Sequence, residues 1–151
     1  MGQYHIAVNL TKKEWLNPHK LGAGLKQCEQ LVNRVGTCQA LFALLCTSNH
    51  RGGGDIEGPN YNPDTGDGVL GRWAGDRLAV IGDYSEPGDM GLDEDFGAIY
   101  ERTDSDEPDG WVDISMMVRP VLEMNLGIRF TDNTGWCHYE RSPHGGFSVI
   151  D

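Results

Sequence analysis

The sequence predicts an α+β fold, a mainly antiparallel sheet with two or three helices packed on one face. Three observations carry this. Short β-prone stretches with alternating apolar residues occur at 4–10 and 77–84. Apolar residues at helical spacing fill much of 25–48. The 21 glycines and 7 prolines put most of the remainder into turns and irregular backbone. A chain of 151 residues, 38% of them apolar, suits one domain, 1–151, with a real core.

Residues 4–10 read as a strand, 11–13 as a polar turn and 14–16 as a short returning strand, together a hairpin. Asn17-Pro18-His19 ends it, because proline cannot continue a ladder. Leu25, Cys28, Leu31 and Val32 fall on one face of a helix, which Gly36 breaks. Thr37 suits the N-cap of a second segment, 38–48, apolar nearly all round and therefore buried; helix is favoured, with a buried strand as the alternative. Residues 49–69 form a long Gly- and Pro-rich loop, and such a loop is either mobile or functional. Residues 69–73 and 77–84 read as two strands of a hairpin around Ala74-Gly75-Asp76. Ala98-Ile99-Tyr100 reads as a short strand. Asp113-Ile114-Ser115 starts a helix that Pro120 either delays to about Arg119 or kinks. Ile128-Arg129-Phe130 and residues 146–150 supply one or two late strands.

No secretory leader is visible, and the longest apolar run, residues 40–46, is far too short for a bilayer. Cys28, Cys38, Cys46 and Cys137 are expected to be buried free thiols in a reducing compartment, which makes the expected location cytoplasmic.

The formal net charge is −11, and it is concentrated in one segment. Residues 83–113 hold twelve acidic groups against one basic group, Arg102, while residues 1–50 hold five basic and two acidic groups. Tyr84, Phe96, Tyr100 and Trp111 interleave with the acids, which lets a core anchor the segment. Asp93, Glu94, Asp95, Glu101, Asp104, Asp106, Glu107 and Asp109 are the candidate partner-binding residues. Carboxylates on a folded surface imitate a phosphate track and fit a basic groove. Direct binding of nucleic acid or membrane is not expected of so acidic a chain.

A second candidate set is Arg51, Gly52, Gly53, Gly54 and Asp55 with Arg72, Trp73 and Arg77. Consecutive glycines bring backbone N–H groups close to an anion, and arginines add forked donors. This set would make the chain an enzyme or sensor that binds a nucleotide or another phosphorylated small molecule. The loop matches neither of the standard phosphate-binding glycine motifs. Cys137-His138, His144 and His50 or His19 carry zinc-type atoms without zinc-type spacing, and residues 60–68 lack the closing Glu of a calcium loop. No metal or cofactor is therefore expected. No nucleophile motif such as Gly-x-Ser-x-Gly is present, which leans the chain away from enzymes.

Gly2-Gln3-Tyr4, Val8-Asn9-Leu10, Leu16-Asn17-Pro18-His19-Lys20, Arg51-Gly52-Gly53-Gly54-Asp55, Gly71-Arg72-Trp73-Ala74-Gly75-Asp76-Arg77, Gly82-Asp83-Tyr84 and Asp113-Ile114-Ser115 occur in that order. In these words the chain resembles a family of small bacterial and phage proteins to which no activity is attached. The resemblance implies one compact domain and a microbial or phage source, and no catalytic residue. Together with the acidic segment, it leads to the expectation of a non-enzymatic interaction domain. A phage-borne inhibitor of a host nucleic-acid-targeting defence protein, acting in the host cytoplasm, fits that expectation.

Overall fold

The hairpin at the N-terminus forms as its alternation requires. The computed structural model describes residues 2–105 and 110–131 together with the strand Cys137–Tyr139. β1 (His5–Asn9) pairs antiparallel with β2 (Glu14–Leu16), Ala7 opposite Leu16 and Asn9 opposite Glu14. A 3₁₀ turn over Pro18–Leu21 follows, capped by the Asn17 side chain, which accepts the His19 N–H at 3.0 Å. Next come α1 (Gln27–Val32), α2 (Thr37–Leu45), β3 (Leu78–Gly82), α3 (Phe96–Thr103), β4 (Val112–Asp113), α4 (Ser115–Leu126), β5 (Ile128–Phe130) and β6 (Cys137–Tyr139). The main sheet has the order β3-β1-β2-β4. Two of its pairings are antiparallel and β2–β4 is parallel, so the sheet is mixed and the class is α+β. β5 and β6 form a separate antiparallel pair.

The period of two along β1 divides the core. Ala7 and Leu16 face one way, into a cluster with Ala40 and Leu44 of α2, Val118, Val121 and Leu122 of α4, and Trp73. Ile6, Val8 and Ile81 face the other way, onto Phe96 and Ile99 of α3 and onto Trp111. α2 and α4 thus share one face, and α3 covers the opposite one.

Several local expectations need correction. The inward residue of α1 is Gln30, whose amide donates to the carbonyls of His5 (2.8 Å) and Leu25 (2.9 Å) and accepts from the Thr37 hydroxyl (2.7 Å). Those backbone groups need partners, so the polar side chain wins the interior and leaves Leu31 and Val32 at 68% and 79% exposure. Thr37 is inside α2, with Gly36 as its N-cap. α2 is not buried all round, since Phe42 is 78% exposed. The 98–100 strand is instead α3, started by Asp95, whose carboxylate accepts the Ala98 N–H at 3.1 Å. α4 runs through Pro120 and ends at Gly127 in the left-handed conformation (φ 64). Cys28, Cys38 and Cys46 are free, but Cys28 is exposed and the other two are half-buried. Residues 146–150 lie outside the described residues.

Residues 69–73 form no hairpin with 77–84. Their N–H groups go elsewhere: Gly71 donates to Ala43 (3.1 Å) and Trp73 to Leu44 (2.9 Å), satisfying carbonyls at the end of α2. β1, not this segment, is the partner of β3. Gly71 sits at φ +80, and a Cβ there would lie 2.7 Å from the Cys46 carbonyl oxygen. The loop at 49–69 is tied down by one side chain of its own and one from α4. Asn49 bonds both the N–H and the carbonyl of Ile56, and Asn125 does the same for Glu57.

The centre of this irregular region is a buried carboxylate. Glu14 accepts from Arg72 Nε (3.0 Å to each oxygen), from Arg72 Nη2 (2.6 Å) and from the Trp73 indole Nε1 (3.0 Å). Arg72 Nη1 continues to the Gly66 carbonyl at 2.6 Å, and its guanidinium lies 5.2 Å from the centre of the Tyr61 ring.

Glu14→Leu strands a buried guanidinium and is expected to cost about 3–5 kcal/mol in urea unfolding, and Glu14→Leu/Arg72→Met less than the two single costs combined. An additive double variant would show that the two side chains do not act as a pair. Gly71→Ala should destabilise by about 1–3 kcal/mol in the same assay, from positive φ and the close carbonyl.

Candidate acidic interaction face

Beyond β3 the chain enters the acidic segment, and five of its nine described carboxylates have a partner within the chain, Asp113 with the Ser115 N–H (2.9 Å) and with Lys20 (2.8 Å) among them. Asp83 donates its N–H to the Tyr4 carbonyl (3.0 Å), and its Oδ1 accepts the Tyr4 N–H (2.9 Å), which extends the β1–β3 pairing by one residue. Asp89 accepts the Glu86 N–H at 2.9 Å and tightens the turn there. Asp95 caps α3. Glu94 pairs with Arg77, and that hydrogen bond holds its carboxyl below the usual range. The turn between them is held by Gly88 at φ 84 and carries Met90 at φ 54, 96% exposed.

Glu86, Asp93, Glu101 and Asp104 are exposed. Glu101 and Asp104 are three apart at the end of α3, hence neighbours on its outer side, while Phe96 and Ile99 hold the inner side in the core. Their platform is therefore fixed to the sheet. Asp106, Glu107 and Asp109 lie outside the described residues. Tyr100 registers the local field. Burial first, then the charges of Asp83 and Asp104, push its phenol up to about 12. Two carboxylates distant in sequence therefore bear on one ring.

The second candidate set is not gathered into a site. Asp55 Oδ2 accepts the N–H groups of Arg51 (2.7 Å) and Gly52 (3.1 Å), so the chain's own carboxylate takes two of the donors an anion would use. The bonds from Gly52 and Arg51 hold Asp55 below its ordinary value. Gly53 and Gly54 face open space. Arg72 and Trp73 are committed to Glu14, and Arg77 to Glu94.

Sequence patterns did not reveal two concavities. One, about 360 Å³, lies between α2 and α4 and is bordered by Cys38, Phe42, Ile56, Val121, Leu122 and Leu126. The other, about 430 Å³, follows the outer edge of β3 and is bordered by Val80, Asp89, Met90, Leu92 and Phe96 among others. The exposed Met90 between two glycines was the available signal for the second. Among the described residues no three His, Cys, Asp or Glu side chains are grouped to hold a metal ion, and no helix is long and apolar enough to cross a membrane. No family model, curated protein or solved structure matches the chain.

Replacing Asp83 and Asp104 with Asn should lower the last tyrosine step in an absorbance titration toward, but not to, about 10, because burial persists. Tyr100→Phe assigns that step. An unchanged step in the Asn variant would remove these carboxylates from the account. The raised phenol favours the folded state below about pH 10, and that contribution is lost as pH climbs toward the folded value near 12.

Proposed function

We propose that this protein is a non-enzymatic interaction domain whose acidic face binds a basic surface of another protein. The carrying observation is a set of exposed carboxylates, Glu86 and Asp93 in the turn before α3 and Glu101 and Asp104 at its end, with α3 itself packed against the sheet. Asp106, Glu107 and Asp109 continue the acidic sequence. Carboxylates held this way lose little freedom on binding and keep their charge toward solvent, which favours a partner that neutralises them. Basic grooves that normally hold nucleic acid are such surfaces. The proposal extends to an inhibitor of the kind a phage would carry against a nucleic-acid-targeting defence protein, occupying the groove in place of nucleic acid. The phosphate-binding alternative gains no support from a glycine loop whose Arg51 and Gly52 N–H groups are taken by Asp55.

Anisotropy of a fluorescein-labelled oligo-arginine peptide tests the face. Asp93→Lys/Glu101→Lys/Asp104→Lys should weaken binding at least about tenfold more than Glu57→Lys/Asp64→Lys/Glu123→Lys, which changes the net charge equally elsewhere. Affinity should also fall with salt. Equal losses in the two triple variants would reduce the effect to net charge and sink the proposal.

A further inference from the structure

Among the described residues β3 is an edge strand with only β1 beside it. The bonds that bracket it, Asp83 N–H to Tyr4 and Leu10 N–H to Arg77, fix which of its groups face β1. With Ile6 opposite Ile81 and Val8 opposite Ala79, the N–H and carbonyl groups of Ala79 and Ile81 point at β1. Those of Leu78, Val80 and Gly82 point outward. Ser85 Oγ takes the Gly82 N–H at 3.0 Å. Leu78 and Val80 are left with outward backbone groups that no described residue pairs.

Natural sheets guard such edges with charges, proline, bulges or very short strands. β4, at the other edge, has two residues, one of them Asp113. β3 is Leu-Ala-Val-Ile-Gly, in register with β1 over its whole length, and has none of those guards. The groove of about 430 Å³ runs along it. Its rim is apolar at Val80 (54% exposed), Met90 and Leu92, and acidic at Asp89. No Lys or Arg occurs from residue 78 to residue 101.

We infer that the outer edge of β3 accepts an added β-strand from a partner, an extended segment in which Lys or Arg alternates with apolar residues. The backbone of that segment pairs with Leu78 and Val80. Its apolar side chains meet Val80, Met90 and Leu92, and its basic ones meet Asp89 and the carboxylates beyond it. Met90, unbranched and polarizable, adapts to different apolar side chains. A second copy fits poorly, because symmetric β3–β3 pairing brings two acidic segments together. The inference rests on the acidic face for its charge and adds the backbone pairing.

The full chain is mixed with a labelled peptide alternating arginine and valine, and with the same peptide N-methylated at alternate amides so that its pairing edge is blocked. Binding should weaken at least about tenfold on N-methylation, and the unmodified peptide should slow hydrogen exchange at the Leu78 and Val80 amides. Val80→Pro, which removes one outward donor, should reproduce the loss; if that variant does not fold, the N-methylated peptide on the unaltered chain decides. Binding that ignores N-methylation yet disappears in Asp93→Lys/Glu101→Lys/Asp104→Lys would overturn strand addition and leave the acidic face standing. N-methyl-sensitive binding that survives those reversals would do the opposite. No binding of the unmodified peptide overturns the inference. So does Val80 protection already present in the free chain, whether concentration-independent, as cover by its own residues would give, or rising with dimer mass, as a second copy would.

Discussion

Glu14 enters the interior from the middle of a hairpin, and an ionised carboxylate there costs several kcal/mol unless other groups replace its water. Arg72 and Trp73 supply four hydrogen bonds for this purpose. Supplying them forces residues 66–73 over to β2, and the rest of the irregular chain follows. Arg72 passes a second bond to Gly66, Tyr61 lies over the guanidinium, and Tyr61 N–H bonds the Leu70 carbonyl at 2.8 Å. Asp76 closes the far side. Burial alone would raise its carboxyl, but hydrogen bonds from Lys12 and Asn9 outweigh this and hold it below its ordinary value. A long stretch without helix or strand is thus ordered by polar contacts instead of a ladder.

This arrangement decides which strand becomes an edge. Within 69–73, Gly71 and Trp73 give their N–H groups to the end of α2, Val69 and Leu70 give theirs to the Pro59 carbonyl, and Arg72 and Trp73 turn their side chains to Glu14, so the segment does not pair with β3. Among the described residues β3 pairs with β1 alone, and its other side opens toward the acidic turn. The same path delivers Arg77 to Glu94, linking the start of β3 to the base of α3. The functional proposal therefore depends on a buried ion pair on the opposite side of the sheet.

The α+β class and the first hairpin were legible because period-two alternation acts locally and survives packing. Thr37 and Gly36 marked the start of α2 within one residue. The acidic segment was legible as charge, since counting needs no coordinates. Other features depended on partners far away in the chain. Gln30 outranks Leu31 for the interior only once the carbonyls of His5 and Leu25 are in place. Gly71-Arg72-Trp73 has strand composition, yet it becomes a turn because α2 ends beside it and Glu14 lies beneath it. Ala98-Ile99-Tyr100 has strand composition as well, and Asp95 three residues earlier was the helix-start signal that outweighed it. The Arg and Gly residues of the second candidate set are ordinary binding chemistry by type; only the structure shows each with a partner of its own or in open space.

Clustered carboxylates cost stability by mutual repulsion, so their retention beside β3 needs a physical reason. For Asp83, Asp89, Asp95 and Glu94 the reason is local: each receives an N–H or a guanidinium, and that bond offsets part of the repulsion. Glu86, Asp93, Glu101 and Asp104 have no such local account. An apolar strand edge without charge, proline or bulge is a template for any other exposed strand, above all that of an identical chain. Under the strand-addition proposal, acidic residues on the turn beside that edge, with Asp89 on the rim of the groove, disfavour pairing between copies and favour a basic strand, so the same charges repel one partner and attract the other. On that proposal, the acidic turn and the unguarded edge of β3 share one physical reason.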